Sequence, residues 1–413
     1  MWLLNTTTLT LEFFTSTKAP PHPYVILSHV WETDEVLFEQ VQESQPAIQT
    51  KKGWLKVKRF CALALDHGFA YAWVDTCCID KRSSVELSEA LNSMYKYYYD
   101  AAVCYIYLAD VPSCVPTGSN SSNAAIPATR EQLLASVRAS RWFSRGWTLQ
   151  ELLVPSRRSF WTADWIEIEG GDDLLNVLAE ASAINQEMLQ DRDLLPEFCI
   201  AERMKWASKR ETTREEDIAY CLMGIFNVSM PILYGEGAVG AFKRLQTEII
   251  RNSFDMTIFA WRADYANSGC LARSPADFAS IPPLDLLLPS DTSFSMTSMG
   301  LALRTRVSEM SSHLVVNRKL PGNPQLPDDM LFAAVWCDVE VRSGEWQVPM
   351  VLLEPVLDSS FHVNGQTCQG YRRIRCLEWV TVPFEELACY SYKELVILED
   401  KQYDMTYRLN FFQ

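Results

Sequence analysis

Asp75-Thr-Cys77-Cys78-Ile-Asp80 sets two thiols between two carboxylates, and Ser28-His29-Val-Trp31 sets a hydroxyl and an imidazole beside an indole. A thiol becomes a nucleophile when a base such as His29 takes its proton and an acid such as Asp75 orients that base. Cys77 with His29 would then form a thiol hydrolase. The plainer account is that Cys77 and Cys78 pack and Asp75 caps backbone amides, because buried thiols are inert. On that account His29 is a satisfied histidine and Trp31 a core tryptophan.

The segment from Ser140 to Leu153 is the densest in side chains that must pack. Trp142, Phe143, Trp147, Leu149, Leu152 and Leu153 supply far more apolar surface than a loop needs. Glu151 follows Trp147 by four residues, on the same side of a helix. A glutamate so placed is expected to be half-buried and paired, with Arg145 at hand. Farther on, Gly235-Glu-Gly237-Ala-Val-Gly240 has the spacing of a dinucleotide-binding loop. Pro231 interrupts the run before it, and no second strand leads to Asp255, so a turn opening a helix is the better account.

The elements that must position these groups alternate in type. Apolar runs at 24–28, 70–75 and 103–108 end in Ser28 and His29, in Asp75 and in Asp110. Between them, Val57, Phe60, Cys61 and Ala64 recur at helical spacing until His67-Gly68, and Leu87, Leu91, Met94 and Tyr98 form a second stripe. Short apolar strands separated by amphipathic helices predict a parallel sheet covered on both faces, with ligands outside the strands' carboxyl ends. Residues 112–129 read as a surface loop. Residues 175–252 read as mainly helical, with Thr213-Arg-Glu-Glu216 as a capping box. After Trp261, Pro, Ser and Asp rise and short strand-like runs are parted by turn signals at Leu320-Pro-Gly-Asn and Val363-Asn-Gly, which predicts a β-rich domain from residue 263.

The 413 residues suit two domains or more, and 48% hydrophobic with 22% charged residues is a globular balance. A net charge of −15 argues against wholesale nucleic-acid binding. The basic run Lys51, Lys52, Lys56, Lys58 and Arg59 reads as the solvated face of a helix. No apolar stretch is long enough to span a membrane, and Met1 to Phe14 lacks the pattern of a secretory signal. The expectation is a cytoplasmic protein whose 12 cysteines are reduced, without disulfides and without a metal site.

Five stretches together are similar to the fungal HET (heterokaryon incompatibility) domain: YVILSHVW at 24–31, WVDTCCIDK at 73–81, ELSEALNSMYKYYYDAAVCYIYLADV at 86–111, SRWFSRGWTLQELLVP at 140–155 and ERMKWASKRETTREEDIAYCLMGIFNVSMPILYGEG at 202–237. The resemblance covers about residues 20 to 262. Glu32 departs from it, standing where the family usually has Gly, and so does one extra residue between Gly237 and Ala241. The resemblance implies a role in non-self recognition and programmed cell death, acting as a homo-oligomer or with a partner incompatibility protein. It divides the chain into a HET domain over 1–262, with an α/β core at about 20–155 and a helical extension at about 156–262, and a smaller β-rich domain over 263–413. HET domains in turn resemble TIR domains, which implies a TIR-like (flavodoxin-like) parallel sheet flanked by helices. Trp147-Thr-Leu-Gln-Glu151-Leu152 looks like the end of a TIR motif whose glutamate is catalytic in NAD-cleaving members, with Thr148 where those have Cys. Carried over, Glu151 is the catalytic residue, ionised and partly shielded in a cleft. By the same resemblance Ser28, His29, Trp31, Asp75, Arg145 and Trp147 line the substrate, with the two tryptophans stacking on its rings and Arg145 meeting its pyrophosphate. NAD is then substrate, with no cofactor. The alternative is a non-enzymatic death-signalling module that acts by homotypic assembly.

Overall fold

The computed structural model describes residues 1–15, 23–116, 125–265, 267–287, 292–298, 300–309, 331–340, 346–363, 366–374, 376 and 380–398. Contacts group the chain into two compact units, Met1–Pro196 with Arg210–Tyr234 and Glu197–Lys209 with Gly235–Gln413. This division does not coincide with the change in composition at residues 262–263.

The first unit is built on a mixed sheet. Its strands are β1 (Trp2–Asn5), β2 (Leu11–Phe13), β3 (Tyr24–His29), β4 (Tyr71–Trp73) and β5 (Val103–Tyr107), joined after a separate hairpin of β6 (Cys114–Pro116) and β7 (Ala125–Pro127) by β8 (Arg158–Trp161) and β9 (Glu167–Ile168). They lie in the order β2-β1-β4-β3-β5-β8-β9. The four central strands β4, β3, β5 and β8 are parallel, so their carboxyl ends share one edge. All six residues of β3 are buried, as a central parallel strand requires. The sheet is not wholly parallel, however. The β1–β2 pair joins β4 antiparallel, and β9 joins β8 antiparallel. The segment expected as a loop at 112–129 contains the β6–β7 hairpin, while residues 117–124 lie outside the described residues.

Helix α1 (Phe38–Gln42) is short. Helix α2 (Lys52–Asp66) buries Trp54, Val57, Phe60, Cys61 and Ala64, the stripe set by the 3.6-residue period, and is closed by the Phe69 amide donating to the Ala64 carbonyl at 2.9 Å. Its basic run is not simply a solvated face, because Lys56 is turned inward to Glu35 and His29. Helix α3 (Ser84–Asp100) is opened by Ser83, whose hydroxyl accepts the Glu86 amide, and buries Leu91, Met94 and Tyr98. Helix α4 (Arg130–Arg138) leads to a single 3-10 turn at Arg141–Ser144 and then to α5 (Thr148–Leu153), every residue of which is buried. Helices α6 (Asp172–Ser182) and α7 (Gln186–Gln190) follow.

In the second unit, α8 (Ile200–Ala207) begins where Asp255 accepts the Ile200 amide at 2.7 Å, so Asp255 is a structural cap. The short α9 (Asp217–Tyr220) belongs to the first unit. Its N-cap is Glu216, which makes no side-chain cap bond, so the helix opens three residues later than a box led by Thr213 would place it. Helix α10 (Ala238–Asn252) starts at Gly237, whose φ of 78° suits glycine, so the glycine-rich segment is a turn that opens a helix.

Ten described strands follow: β10 (Asn267–Ser268), β11 (Leu284–Leu286), β12 (Ser293–Thr297), β13 (Gly300–Glu309), β14 (Leu331–Ala334), β15 (Cys337–Glu340), β16 (Trp346–Val363), β17 (Gln366–Ile374), β18 (Val380–Pro383) and β19 (Ser391–Ile397). All pair among themselves. The pairings β17–β19, β19–β13, β13–β14, β14–β16 and β16–β17 return to their start and close a five-stranded barrel. The 18-residue β16 makes closure possible, since one end pairs with β14 and the other with β17. The turns expected at 320–323 and 363–365 lie largely outside the described residues. Among the described residues no helix is long and apolar enough to cross a membrane, and the ten cysteines whose side chains are described are free thiols.

Candidate functional site

The carboxyl edge of the parallel strands opens into a cavity of about 210 Å³. His29, Trp31, Asp75, Arg145, Trp147 and Glu151 all line it. Ser28 does not. It lies fully buried behind the wall, where it accepts the Trp142 indole N–H at 2.8 Å and donates its own hydroxyl to the Glu151 carboxylate. The third strand end contributes structure instead: Asp110 accepts the Ser140 hydroxyl at 2.7 Å and the Arg141 amide at 2.8 Å, and so anchors the segment leading to Trp147.

That segment is held to the 210–213 strip by a single parallel bridge between Arg145 and Glu211, with the Gly146 amide donating to the Glu211 carbonyl at 2.9 Å. A Cβ on Gly146 would lie 2.5 Å from the Thr212 methyl carbon, so only glycine allows this approach. Arg145 spends its guanidinium on Thr213, donating to the hydroxyl at 2.7 Å, and is not the partner of Glu151. The nearby cation is Arg210, buried at 6% exposure, which donates to Thr148 at 3.0 Å and to the Arg145 carbonyl at 2.9 Å.

Glu151 is 7% exposed. Burial pushes its carboxyl up to about 8, with the Asp75 charge adding to the rise and hydrogen bonds from Ser28 and Tyr98 and the Arg210 charge opposing it. Near neutral pH in the free protein it is therefore mostly protonated. The expectation of an ionised carboxylate fails, because too few charges reach this depth to offset lost hydration.

Asp75 is the opposite case. Burial alone would raise its carboxyl, but hydrogen bonds from His29 and Trp31 and the charge of Lys81 outweigh it and hold the group below its ordinary value. His29 Nε2 donates to Oδ1 at 3.0 Å and Trp31 Nε1 to Oδ2 at 2.6 Å. Asp75 thus bonds side chains and caps no backbone amide among the described contacts. The other face of the imidazole continues the chain: Lys56 Nζ donates to His29 Nδ1 at 2.8 Å and pairs with buried Glu35. With both ring nitrogens engaged, His29 is no base for a thiol. Cys77 does not line the cavity, and its hydrogen bond with Cys78 together with burial drives its thiol well above the ordinary value. The thiol-hydrolase arrangement does not form.

Trp31 is 47% exposed rather than a core residue, and the ammonium of Lys81 covers one face of its ring, 3.6 Å from the centroid. Trp147 donates to Asp217 at 3.1 Å, Tyr234 donates to the other oxygen of Asp217 at 2.9 Å, and the Arg214 guanidinium lies over Tyr234 at 4.0 Å. Sequence reasoning does not single out Lys81, Arg214, Asp217 or Tyr234. Only Lys81 carries a local signal, six residues after Asp75 and at the end of the same motif. The others reach the cleft from a segment whose path the sequence pattern does not give. Among the described residues no group of His, Cys, Asp and Glu is placed to hold a metal ion.

The model of the family described as heterokaryon incompatibility protein (HET) matches residues 24–151, from the first residue of β3 to Glu151 itself. A domain of unknown function, DUF8212, matches residues 240–298. The vegetative incompatibility protein HET-E-1 of Podospora anserina is 40% identical over 237 residues, which are 57% of this chain and 16% of that protein. No solved structure matches. Residues 24–151, which form β3, β4, β5 and the wall of the cleft, are the part of the chain that matches the HET family of heterokaryon incompatibility proteins.

Proposed function

We propose that the protein acts in vegetative incompatibility as a cell-death effector, and that its cleft cleaves NAD at the nicotinamide–ribose bond. The observation that carries the chemistry is the Glu151 carboxyl, shielded from water at the carboxyl edge of parallel strands and steered by Ser28. Taken in chain order the parallel strands lie 2-1-3-4, the arrangement with which flavodoxin-like sheets begin, and which fits a TIR-like core. The cavity lies outside the carboxyl ends of β3 and β4, the side on which ligands bind in such sheets. The name of the Podospora relative supports the cellular role.

Before substrate binds, Glu151 holds its proton. The nicotinamide ring of NAD is a cation, and a positive charge alongside favours the carboxylate, so binding drives that proton off. The N-glycosidic bond then breaks with both electrons leaving on the nicotinamide nitrogen, which becomes neutral. The carboxylate stabilises the oxocarbenium charge left on the ribose. Water adds to that carbon and loses a proton, giving ADP-ribose. Incubating purified protein with NAD and following free nicotinamide tests this. Release supports the reading. Its absence from folded protein would leave assembly of copies, or pairing with a partner incompatibility protein, as the way the domain signals.

A further inference from the structure

Three cationic side chains face this cleft, Lys81, Arg145 and Arg214, against the carboxylates Asp75 and Asp217, in a chain whose net charge is −15. Two of the three are committed. Arg145 donates to Thr213, and Arg214 is stacked on Tyr234. Lys81 Nζ is shut off from solvent and has no hydrogen-bond acceptor among the described residues. It rests on the Trp31 ring, which is itself fixed by the indole bond to Asp75.

An ammonium in this position is unusual. A cation over an indole is held by a contact weaker than a charged hydrogen bond, and three N–H donors go unused. A charge-assisted hydrogen bond is among the stronger polar contacts, so an anionic oxygen entering the cavity competes well for the same group. The four-carbon stem lets Nζ leave the ring without moving the backbone. Burial lowers the Lys81 ammonium while Asp75 holds it up, so an incoming anion also relieves a desolvated charge.

We propose that Lys81 is the phosphate contact of the cleft, its ammonium passing from the Trp31 ring to a phosphoryl oxygen of a bound nucleoside diphosphate. This rests on reading the cleft as a nucleotide site and reassigns the phosphate from Arg145 to Lys81. Leu87, Leu91 and Met94 line the same cavity and offer the apolar contact that a base needs. Withdrawal of the ammonium also frees the Trp31 face that it covers.

The test is calorimetric titration of ADP and of adenosine, which share a base and ribose and differ in the diphosphate. Wild-type protein should bind ADP at least about tenfold more tightly, which is about 1.4 kcal/mol and the lower end for one charged hydrogen bond. Lys81→Met should abolish most of that preference while adenosine affinity stays within about twofold, a change of roughly 0.4 kcal/mol. Lys81→Arg, which keeps the charge, should retain most of the preference. Circular dichroism establishes that each variant is folded, and Lys81→Gln replaces Lys81→Met if the latter is not. Wild-type protein that binds ADP no better than adenosine, or not at all, overturns the proposal. So does a folded neutral variant that keeps the full preference. Nicotinamide release from NAD is scored separately. A Lys81-dependent ADP preference without release upholds the phosphate contact and rejects hydrolysis, and release with no such dependence does the reverse.

Discussion

Ser28 and Glu151 stand 123 residues apart in the chain and share a hydrogen bond, from the serine hydroxyl at the end of β3 to a carboxylate oxygen on α5. The same hydroxyl accepts the Trp142 indole proton at 2.8 Å, so one oxygen ties the strand end, the 3-10 turn and the helix together. Ser28→Ala removes an acceptor from a buried indole and a donor from a buried carboxyl. Loss of about 1–3 kcal/mol in stability is expected, read from urea unfolding, because the groups left behind are shielded from water. An unchanged unfolding midpoint would mean that the bonds carry no net energy.

The raised Glu151 carboxyl gives the fold a pH dependence of definite sign. Its folded value of about 8 exceeds the ordinary value of 4.5, so the native state holds a proton that the unfolded chain releases between those limits. Stability from this group is fully present below about 4.5 and falls as pH rises toward 8, by at most about 1.4 kcal/mol per pH unit. Glu151→Gln cannot ionise and removes this contribution. The difference in unfolding free energy between variant and wild type should therefore shift in favour of the variant from pH 5 to pH 9. A difference that stays flat over that range would contradict the assignment.

Lys56 and Glu35 form an ion pair with side chains only 9% and 7% exposed, and Lys56 also donates to His29. Lys56→Met strands a buried carboxylate and should cost about 3–5 kcal/mol. Replacing both residues by Met and Leu should recover most of that loss. Chemical denaturation of the three proteins measures this directly, and equal midpoints for the single and double variants would argue against a buried pair.

Gly146 admits no side chain, since a Cβ would meet the Thr212 methyl carbon at 2.5 Å and the Cys221 sulfur at 3.1 Å. Gly146→Ala must spread the 145–211 bridge, with an expected cost of about 1–3 kcal/mol. A thermal melt reads the loss. A variant as stable as wild type would show that the strip moves aside freely.

The parts of this fold visible in the sequence are those ruled by local period. β3, β4, β5, α2 and α3 each announce themselves through runs or stripes of apolar residues, and parallel pairing follows from their alternation. The antiparallel edge at β1 and β2 does not, because four- and three-residue strands carry too little pattern. The β6–β7 hairpin hides in a segment whose composition suggests only loop. At the site, Glu151 is legible as a motif residue, but its protonation is not, since the groups that surround it, Ser28, Tyr98 and Arg210, come from three separate stretches of the chain. Charge alone directs Arg145 to phosphate. The Thr213 hydroxyl that occupies it lies 68 residues away, beyond any reading of local sequence.

Glu151→Gln tests the central claim most directly, because it keeps the size of the side chain and removes its capacity for negative charge. With NAD in excess at neutral pH, wild-type protein is expected to release nicotinamide, and the variant to do so at least about 100-fold more slowly, the loss typical of removing one electrostatic stabiliser. Its circular dichroism should match wild type, since the amide can still accept from Ser28. A folded Glu151→Gln protein that released nicotinamide at the wild-type rate would contradict the account.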